Sequence, residues 1–342
     1  MKLTRRIVLN GFVAAPALIA SGRFGVGAPA MTLNISHQFP GGTADVGDFR
    51  DRLCRKFAGA VQKLSQGEIA LEVYPKSTLE KTVAQFSALS RGKLDLSLYP
   101  LAYAGGVVKE LNIGLLPCLV TSYEQGLAWR SAAIGREVAS TLDKAGVKIL
   151  TWVWQAGSVA SRTGPVVSPA DVKGVTIRGG SPEFDAMLKA AGGIIASIPS
   201  NEIKAAMQTG ALDAAITSAT SLMSFHVEDS ARNLTTGRGK SFWYMLEPLL
   251  MSKAVFDKLT PAQQKVMTEV GESMVPFGME AAKADDQAIA DVFSKKGVKI
   301  HDMTAATVDQ WREIAVDTAW RDFASRTPEC AELLKLAQDV PV

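Results

Sequence analysis

Residues that build metal and redox centres are scarce in this chain of 342 residues. It contains three cysteines and three histidines, well separated along the sequence: Cys54, Cys118, Cys330, His37, His226 and His301. Their spacing matches no zinc, non-haem iron or thiol redox motif. We therefore predict buried free thiols, no protein-built metal site and no cofactor; whether a metal ion bridges a bound ligand is left open by the sequence.

Common catalytic motifs are also missing. The sequence has no Gly-x-Ser-x-Gly elbow, no Cys–His pairing, no His-Glu-x-x-His motif and no phosphate-binding glycine loop. After residue 30 no apolar run approaches the ~20 residues of a membrane-spanning helix. These absences weigh against an enzyme, and they predict no membrane insertion of the mature chain.

The first 30 residues have the features of an export signal. Arg5 and Arg6 precede an apolar run from Gly11 to Ala20, and Ala28-Pro29-Ala30 supplies the small residues that a signal peptidase requires. We predict that residues 1–30 are a signal peptide of the twin-arginine type, cleaved after Ala30. General secretion and a retained N-terminal anchor are the alternatives. On this prediction the mature protein is periplasmic.

The basic character of the chain comes from this N-terminal segment. Four of its 37 lysines and arginines precede Met31, whereas none of its 34 acidic residues does. The remainder is therefore close to neutral. This balance gives no indication of a nucleic-acid partner or of an anionic membrane surface.

The pattern Ala-x-x-x-Gly-x-Leu-Asp occurs twice, beginning at Ala88 and at Ala206. Each copy follows a helix-like stretch and precedes a short apolar run, which is typical of a helix-to-strand junction. The order β, α, β, α, β leads to the first copy and starts again near Val175. The chain after residue 30 has about 310 residues, which is too many for a single hydrophobic core. The sequence therefore predicts an α/β fold of two lobes with open, mainly parallel sheets.

The boundaries of the lobes follow from the places where the chain crosses between them. We expect one crossing near Trp152 to Ser158 and a return at Phe242 to Tyr244. The expected units are lobe 1, the segment returning to it, lobe 2 and the C-terminal helices: residues 31–155, about 245–285, 156–244 and 286–342.

A long helical stretch begins at Thr260-Pro261, which supplies an N-cap and a proline in the first turn. It extends to about Lys295. Pro276 should kink or split it, because proline removes a helix hydrogen bond.

Arg178 is the strongest candidate for a binding residue. It ends a short apolar strand and precedes Gly179-Gly180-Ser181-Pro182. Ligands of open α/β sheets bind at the carboxyl ends of strands. A guanidinium there can hold a carboxylate through two parallel hydrogen bonds. The alternative is an ordinary ion pair with Asp171 or Glu183.

Several segments resemble the DctP-type solute-binding proteins of tripartite ATP-independent periplasmic (TRAP) transporters. Ser168 to Arg178 resembles the family segment PaDLKGlKIR, and Glu202 to Asp213 resembles E-x-Y-x-A-L-Q-T-G-x-V-D. Ser65 to Pro75 resembles S-x-G-x-I…YP, and Gly92 to Asp95 resembles G-x-x-D. Leu259 to Lys265 is similar to a helix start of the family. The resemblance covers essentially the whole chain after residue 30.

The resemblance implies a two-lobe fold of the periplasmic-binding-protein type, with crossing strands and a long C-terminal helix. It also implies that the protein captures a small organic acid and delivers it to the TRAP membrane subunits, the permease. In this family the arginine that ends the KIR segment forms the salt bridge to the ligand carboxylate. That role falls on Arg178.

Other family positions are only partly kept. A second ligand-binding arginine of the sialic-acid-type members falls near Ser158, and a family asparagine falls near Thr217. Gln155 and Arg162 lie near the first of these positions and are possible substitutes. These departures argue against sialic acid as the ligand and leave its identity open.

Further candidates follow from their places in the predicted fold. His37 and Gln38 follow the first strand, and Tyr99 ends the strand after the first repeat, so each is placed to face the cleft. Trp154 and Trp243 flank the two crossings. The alternative is a plain surface loop for the first pair and core packing for the aromatic residues.

Three other functions remain open on the sequence alone. A periplasmic sensor would bind the same ligand without transport. An exported enzyme acting on an organic acid would fit the twin-arginine signal, although the sequence shows no catalytic constellation. An export protein with a purely structural role would bind no ligand.

Overall fold

Residues 31–341 are described by a computed structural model, in which two β-sheets carry helices on their faces. The signal peptide predicted for residues 1–30 lies outside the described residues. Within them, every helix is too short or too polar to cross a membrane.

The first sheet has five strands in the order β2-β1-β3-β11-β4. Their bounds are β1 Met31–Ser36, β2 Ile69–Tyr74, β3 Leu96–Leu98, β4 Val147–Thr151 and β11 Leu249–Ser252. β1 pairs in parallel with β2 and β3, whereas β11 runs antiparallel to β3 and β4. Helix α1, Phe49–Leu64, covers this sheet with the predicted apolar face, on which Leu53, Phe57 and Val61 are fully buried.

The second sheet has seven strands in the order β12-β9-β5-β8-β6-β7, with β10 beside β5. Their bounds are β5 Trp154–Ser161, β6 Thr176–Arg178, β7 Ile194–Ile195, β8 Ala214–Ser218, β9 Asn233–Thr236, β10 Tyr244–Leu246 and β12 Lys299–Asp302. β6 is parallel to β7 and β8, and β9 is parallel to β12. β5 is antiparallel to β8 and β9.

Both sheets are mixed, which corrects the expectation of mainly parallel sheets. The antiparallel pairs all involve β5, β10 or β11, the strands at the crossings. A strand that enters a sheet from the other lobe arrives from the opposite side, so it runs against the strands already there. The lobes meet where β5 pairs with β10, Trp154 opposite Leu246.

The remaining helices are α2 Gln85–Ser90, α3 Tyr123–Ala128, α4 Ala133–Lys144, α5 Pro182–Ala190, α6 Ile203–Thr209, α7 Ala219–Ser224, α8 Lys253–Phe256, α9 Pro261–Ser273, α10 Val275–Ser294, α11 Ala305–Ala315, α12 Arg321–Arg326 and α13 Pro328–Gln338. The predicted break occurs at Met274, and Pro276 lies in the first turn of α10. Helix α10 contacts α1 on one side and β5, β9 and β12 on the other.

The segment from 286 to 342 is not made of helices alone. Strand β12 lies within it and extends the second sheet by pairing with β9. The apolar residues Val298 and Ile300 pack on the smaller of the two hydrophobic clusters, which explains why this short stretch joins the sheet. The three cysteines are buried and free, as predicted.

Gly126 allows helix α3 to pack closely on the start of the crossing strand β5. A Cβ atom at this position of α3 would lie 2.8 Å from the indole ring of Trp154. Gly59 in α1 is exposed, and a Cβ atom there would meet nothing within 4 Å. The two glycines therefore differ in what a methyl group would contact.

We expect Gly126→Ala to lower the free energy of unfolding by about 1–3 kcal/mol, because the added methyl group overpacks the interface with Trp154. The matched control Gly59→Ala should raise it by about 0.5–1 kcal/mol through helix propensity. Urea denaturation of both variants measures these changes. Equal effects of the two substitutions would contradict this packing.

Candidate functional site

Arg178 ends β6 and is almost completely buried, with 2% of its surface exposed. Its Nε donates to the carbonyl of Ile198 at 3.0 Å, and Nη1 donates to the carbonyl of Ile216 at 2.8 Å. Gly180 has φ +101°, and a Cβ atom there would lie 2.7 Å from Nη1. A glycine is thus required beside the guanidinium.

No carboxylate among the described residues lies within ion-pair distance of Arg178. Asp171 caps its own 3₁₀-helix through Val167 and Ser168, and Glu183 pairs with Arg326. The alternative of an ordinary ion pair with either acid is therefore wrong. Burial raises the pKa of Asp185, and the charge of Arg178 is near enough to oppose this rise, but Asp185 forms no ion pair with the guanidinium. A buried charge without an ion-pair partner is costly, so the arrangement favours an anionic ligand.

Tyr103 reaches Arg178 from the first lobe. It lies in a 3₁₀-helix, Leu101–Ala104, that follows β3. Its hydroxyl oxygen accepts from Arg178 Nη2 at 2.8 Å and from the backbone N–H of Ser200 at 3.0 Å. Tyr103 was not among the binding residues predicted from the sequence. Its spacing of four from Tyr99, just after a strand end, is the signal that could have indicated it.

Gln38 and Tyr99 lie next to each other at the carboxyl edge of the first sheet. Ser36 pairs with Ser97 across β1 and β3, and each candidate lies two residues beyond its strand partner. Both side chains are buried, and neither the Gln38 amide nor the Tyr99 hydroxyl has a hydrogen-bond partner among the described residues. The Tyr99 ring meets Tyr103 edge-on at 6.0 Å between centroids.

Ser158 and Thr217 are opposite each other in the pairing of β5 with β8. Both are buried, and Thr217 directly follows Ile216, whose carbonyl binds Arg178. The Ser158 hydroxyl accepts from the N–H of Gly237 at 3.1 Å. The fold thus places Thr217 directly after a carbonyl that binds Arg178, and Ser158 opposite Thr217 on the neighbouring strand.

The two tryptophans play structural parts at the crossings. Trp243 Nε1 donates to the carbonyl of Gly179 at 3.0 Å, and its ring lies against Gly157, so it supports the backbone beside Arg178. Trp154 packs edge-on against Trp129 at 5.1 Å between centroids. The indole N–H of Trp154 is buried without a partner among the described residues. Both side chains therefore pack at the crossings, and a ligand contact of either one stays a prediction.

His37 lies beside the ion pair of Asp51 with Arg55. Its Nε2 lies 3.1 Å from Asp51, which also accepts from Arg55 Nε at 2.7 Å and from the N–H of Gly42 at 2.8 Å. The imidazole is fully buried, and its Nδ1 has no hydrogen-bond partner among the described residues. Nε2 thus supports the loop after β1, and a ligand contact of His37 stays a prediction.

Arg162 lies at the other end of the strands of the second sheet, away from Arg178. The expectation that it could take the place of a second ligand-binding arginine is therefore wrong. It follows the end of β5, where its N–H donates to the carbonyl of Asp213 at 2.8 Å, and its side chain faces Asp213 at 3.8 Å. Asp213 is four residues before Thr217 on a strand that rises about 3.3 Å per residue, so the separation is about 13 Å. Arg162 therefore cannot replace the missing second arginine.

Gln155 belongs to a polar network across the crossing strands. It donates to Glu247, which also accepts from Arg50 Nη1 at 3.3 Å. Arg50 makes a two-pronged pair with Asp48 at 2.9 and 2.7 Å and donates to Ser221 of the other lobe at 2.9 Å. Sequence reasoning missed Arg50, whose partners are up to 197 positions away.

The pKa of Glu247 reflects this environment. Burial raises it from 4.5 to about 7; Arg50 opposes the shift, and the negative charge of Asp48 reinforces it. Arg50 is already paired with Asp48 through two hydrogen bonds, so its charge compensates Glu247 only in part.

A cavity of about 240 Å³ opens beside Tyr103, between the lobes. Gly180, Pro182, Asp185, Ser197 and Ile198 form much of its wall on the second lobe. Among residues 31–341 no group of three or more histidine, cysteine or acidic side chains could hold a metal ion.

A protein-family model and two relatives match most of the chain. The family model described as bacterial extracellular solute-binding protein, family 7 (DctP), matches residues 49–327. A solute-binding protein of Albidiferax ferrireducens is 53% identical over 311 residues, which are 91% of this chain and 92% of the relative. The 2,3-diketo-L-gulonate-binding periplasmic protein YiaO of Escherichia coli is 26% identical over 294 residues, 84% and 86% of the two chains.

Solved structures of this architecture agree with the fold. The crystal structure of a TRAP periplasmic solute-binding protein from Rhodoferax ferrireducens, with bound malonate, is 54% identical and superposes with a TM-score of 0.89. The match covers 90% of this chain and 98% of that one. The predicted two-lobe α/β fold and the family resemblance are thereby confirmed.

We expect the free energy of unfolding to fall as the pH rises from about 4.5 to about 7. The folded state keeps a proton on Glu247 in this range, whereas the unfolded chain loses it. Replacing Glu247 by Gln should remove up to about 3 kcal/mol of this pH dependence. Urea unfolding at a series of pH values measures it. The exposed control Glu137→Gln should leave the slope unchanged, and an unchanged slope in Glu247→Gln would contradict the assignment.

Proposed function

The chain belongs to family 7 of the bacterial extracellular solute-binding proteins, and we propose that it captures a small organic acid by its carboxylate and delivers it to the membrane subunits of a TRAP transporter. The ligand binds in the cleft between the two sheets, with its carboxylate on Arg178. The relatives that the chain matches are named as solute-binding proteins. Binding without turnover follows from that membership.

The state of the Arg178 guanidinium carries this proposal. A guanidinium has five N–H donors, and three of them bind Ile198, Ile216 and Tyr103. Two remain, the number that a carboxylate takes in a two-pronged pair. The side chain is buried between the lobes without an acidic partner. A bound carboxylate would supply the missing charge.

The opposite side of the cleft offers hydrogen bonds for the rest of the ligand. Gln38 and Tyr99 present buried polar groups that lack partners among the described residues. Ser158 and Thr217 lie beside the arginine on the second sheet. One charged contact does not account for micromolar affinity, about −8 kcal/mol, so these groups must contribute. Closure of the lobes then excludes water and strengthens the ion pair.

The choice of ligand class rests on size and charge. The relative from Rhodoferax ferrireducens was crystallised with malonate, a short organic acid. Ser158 cannot supply the second cationic contact that sialic-acid-type receptors place at this position. We therefore assign short organic acids, with malonate as the first probe, and place sialic acid below them.

Rigid-body closure also requires two lobes with defined limits. We assign residues 31–155 with about 245–285 to lobe 1, and 156–244 to lobe 2. The five strands of the first sheet lie in the lobe 1 ranges, whereas β6 to β9 lie in lobe 2. The C-terminal segment 286–342 adds β12 to the sheet of the second lobe. We further assign the protein to the periplasm, after removal of residues 1–30.

We expect Arg178→Ala to weaken malonate binding by about 2–5 kcal/mol, because the carboxylate then lies buried without its partner. Arg178→Lys should also bind poorly, since an ammonium cannot form the two-pronged pair. Isothermal titration measures both. The control Arg162→Ala removes an arginine at the far edge of the sheet and should titrate like the wild type. Wild-type affinity in Arg178→Ala would refute the site.

We expect short organic acids to outrank sialic acid in a thermal-shift panel. A ligand at 100 times its Kd stabilises the folded state by about 2.7 kcal/mol, which is a shift of several degrees. Malonate and monocarboxylates with small apolar bodies should give such shifts. A larger shift with sialic acid would mean that Ser158 does not limit the ligand as proposed.

A further inference from the structure

Tyr103 joins the two lobes at the guanidinium on which the proposed function rests. It belongs to the first lobe, whereas its two hydrogen-bond partners, Arg178 and Ser200, belong to the second. The positions are 75 and 97 residues apart in sequence. This contact can therefore form only when the lobes are together.

The Tyr103 hydroxyl acts toward the second lobe as an acceptor only. A phenol oxygen has two lone pairs and one hydrogen. Here one lone pair accepts from Arg178 Nη2 and the other from the N–H of Ser200. Both donors would be left buried and unpaired if the oxygen were removed, because Arg178 and Ser200 are 2% and 3% exposed.

The phenol can close on Arg178 without neutralising it. A carboxylate at this position would pair with the guanidinium and compete with an organic acid for it. A neutral hydroxyl satisfies one N–H and leaves the positive charge for the ligand. The cavity of about 240 Å³ lies directly beside Tyr103, so opening of this contact would widen a route to solvent.

We propose that Tyr103 is the closure latch of this receptor, a positioning residue that holds lobe 1 on Arg178 of lobe 2 once a carboxylate is bound. Ligand binding compensates the buried charge, which removes the cost of closing over it. The latch then slows the escape of the ligand. The inference rests on the proposed function, because the carboxylate on Arg178 supplies the charge.

Stopped-flow fluorescence with malonate tests the latch. Tyr103→Phe should raise the dissociation rate about 10- to 100-fold, since two buried N–H groups lose their acceptor, and should change the association rate by less than about threefold. Tyr74→Phe is the matched control: its hydroxyl binds Glu72 on the exposed surface of β2, and its rates should equal those of the wild type. Equal dissociation rates of Tyr103→Phe and the wild type would overturn the latch.

Replacement of Tyr103 by 3-fluorotyrosine separates acceptance from donation. Fluorine withdraws electrons, so the phenol becomes a weaker acceptor and a stronger donor. If Tyr103 holds the lobes by accepting, dissociation of malonate should become faster. Slower dissociation would mean that the hydroxyl donates to the ligand instead, and it would overturn the latch.

Failure of the latch and failure of the proposed function give different results. Loss of binding in Arg178→Ala with unchanged rates in Tyr103→Phe supports the function and overturns the latch. Absence of malonate binding to the wild type would overturn the malonate assignment. The latch is then tested with the acid that gives the largest thermal shift in the panel, by spin labels at the exposed positions Leu64 and Ile194. With that acid bound, Tyr103→Phe should lengthen the distance between the lobes relative to the wild type, and an unchanged distribution would overturn the latch.

Discussion

A buried positive charge without an acidic partner is the constraint on which the rest of the site depends. Arg178 is enclosed by the carbonyl groups of Ile198 and Ile216 and by the phenol of Tyr103. These neutral acceptors orient the guanidinium but do not cancel its charge. The strand end, the glycine at 180 and the indole of Trp243 all serve to hold this one group in place. Burial of this positive charge is therefore destabilising, and a bound anion would offset that free-energy cost.

A second buried arginine, Arg50, differs from Arg178 in having acidic partners. Arg50 is fully buried as well, but Asp48 and Glu247 surround it, and the ring of Phe39 lies 3.5 Å from its guanidinium carbon. Its bond to Ser221 ties the first lobe to the second. With its charge compensated, Arg50 has little to offer an anion. The contrast between the two arginines therefore distinguishes a structural tie from a binding group.

Features set by local order along the chain could be predicted from the sequence. Arg178, Gln38 and Tyr99 all follow strand ends, and a strand end can be recognised from its own neighbours. Features set by distant pairing could not. Tyr103 depends on contacts 75 and 97 positions away, and Arg50 depends on one 197 positions away. The prediction for Arg162 was wrong for a related reason. β5 runs alongside the whole of β8, so four residues after Ser158 the chain has reached the other end of these strands.

The use of a phenol rather than a carboxylate opposite Arg178 matters for a receptor that must respond to its ligand. A ligand can shift an equilibrium between open and closed forms only by its differential affinity for the two. An acid at position 103 would pair with the arginine in the closed form and stabilise closure without ligand. The neutral hydroxyl of Tyr103 adds hydrogen bonds to the closed form but leaves its charge uncompensated. Closure then becomes favourable when an organic anion completes the pair.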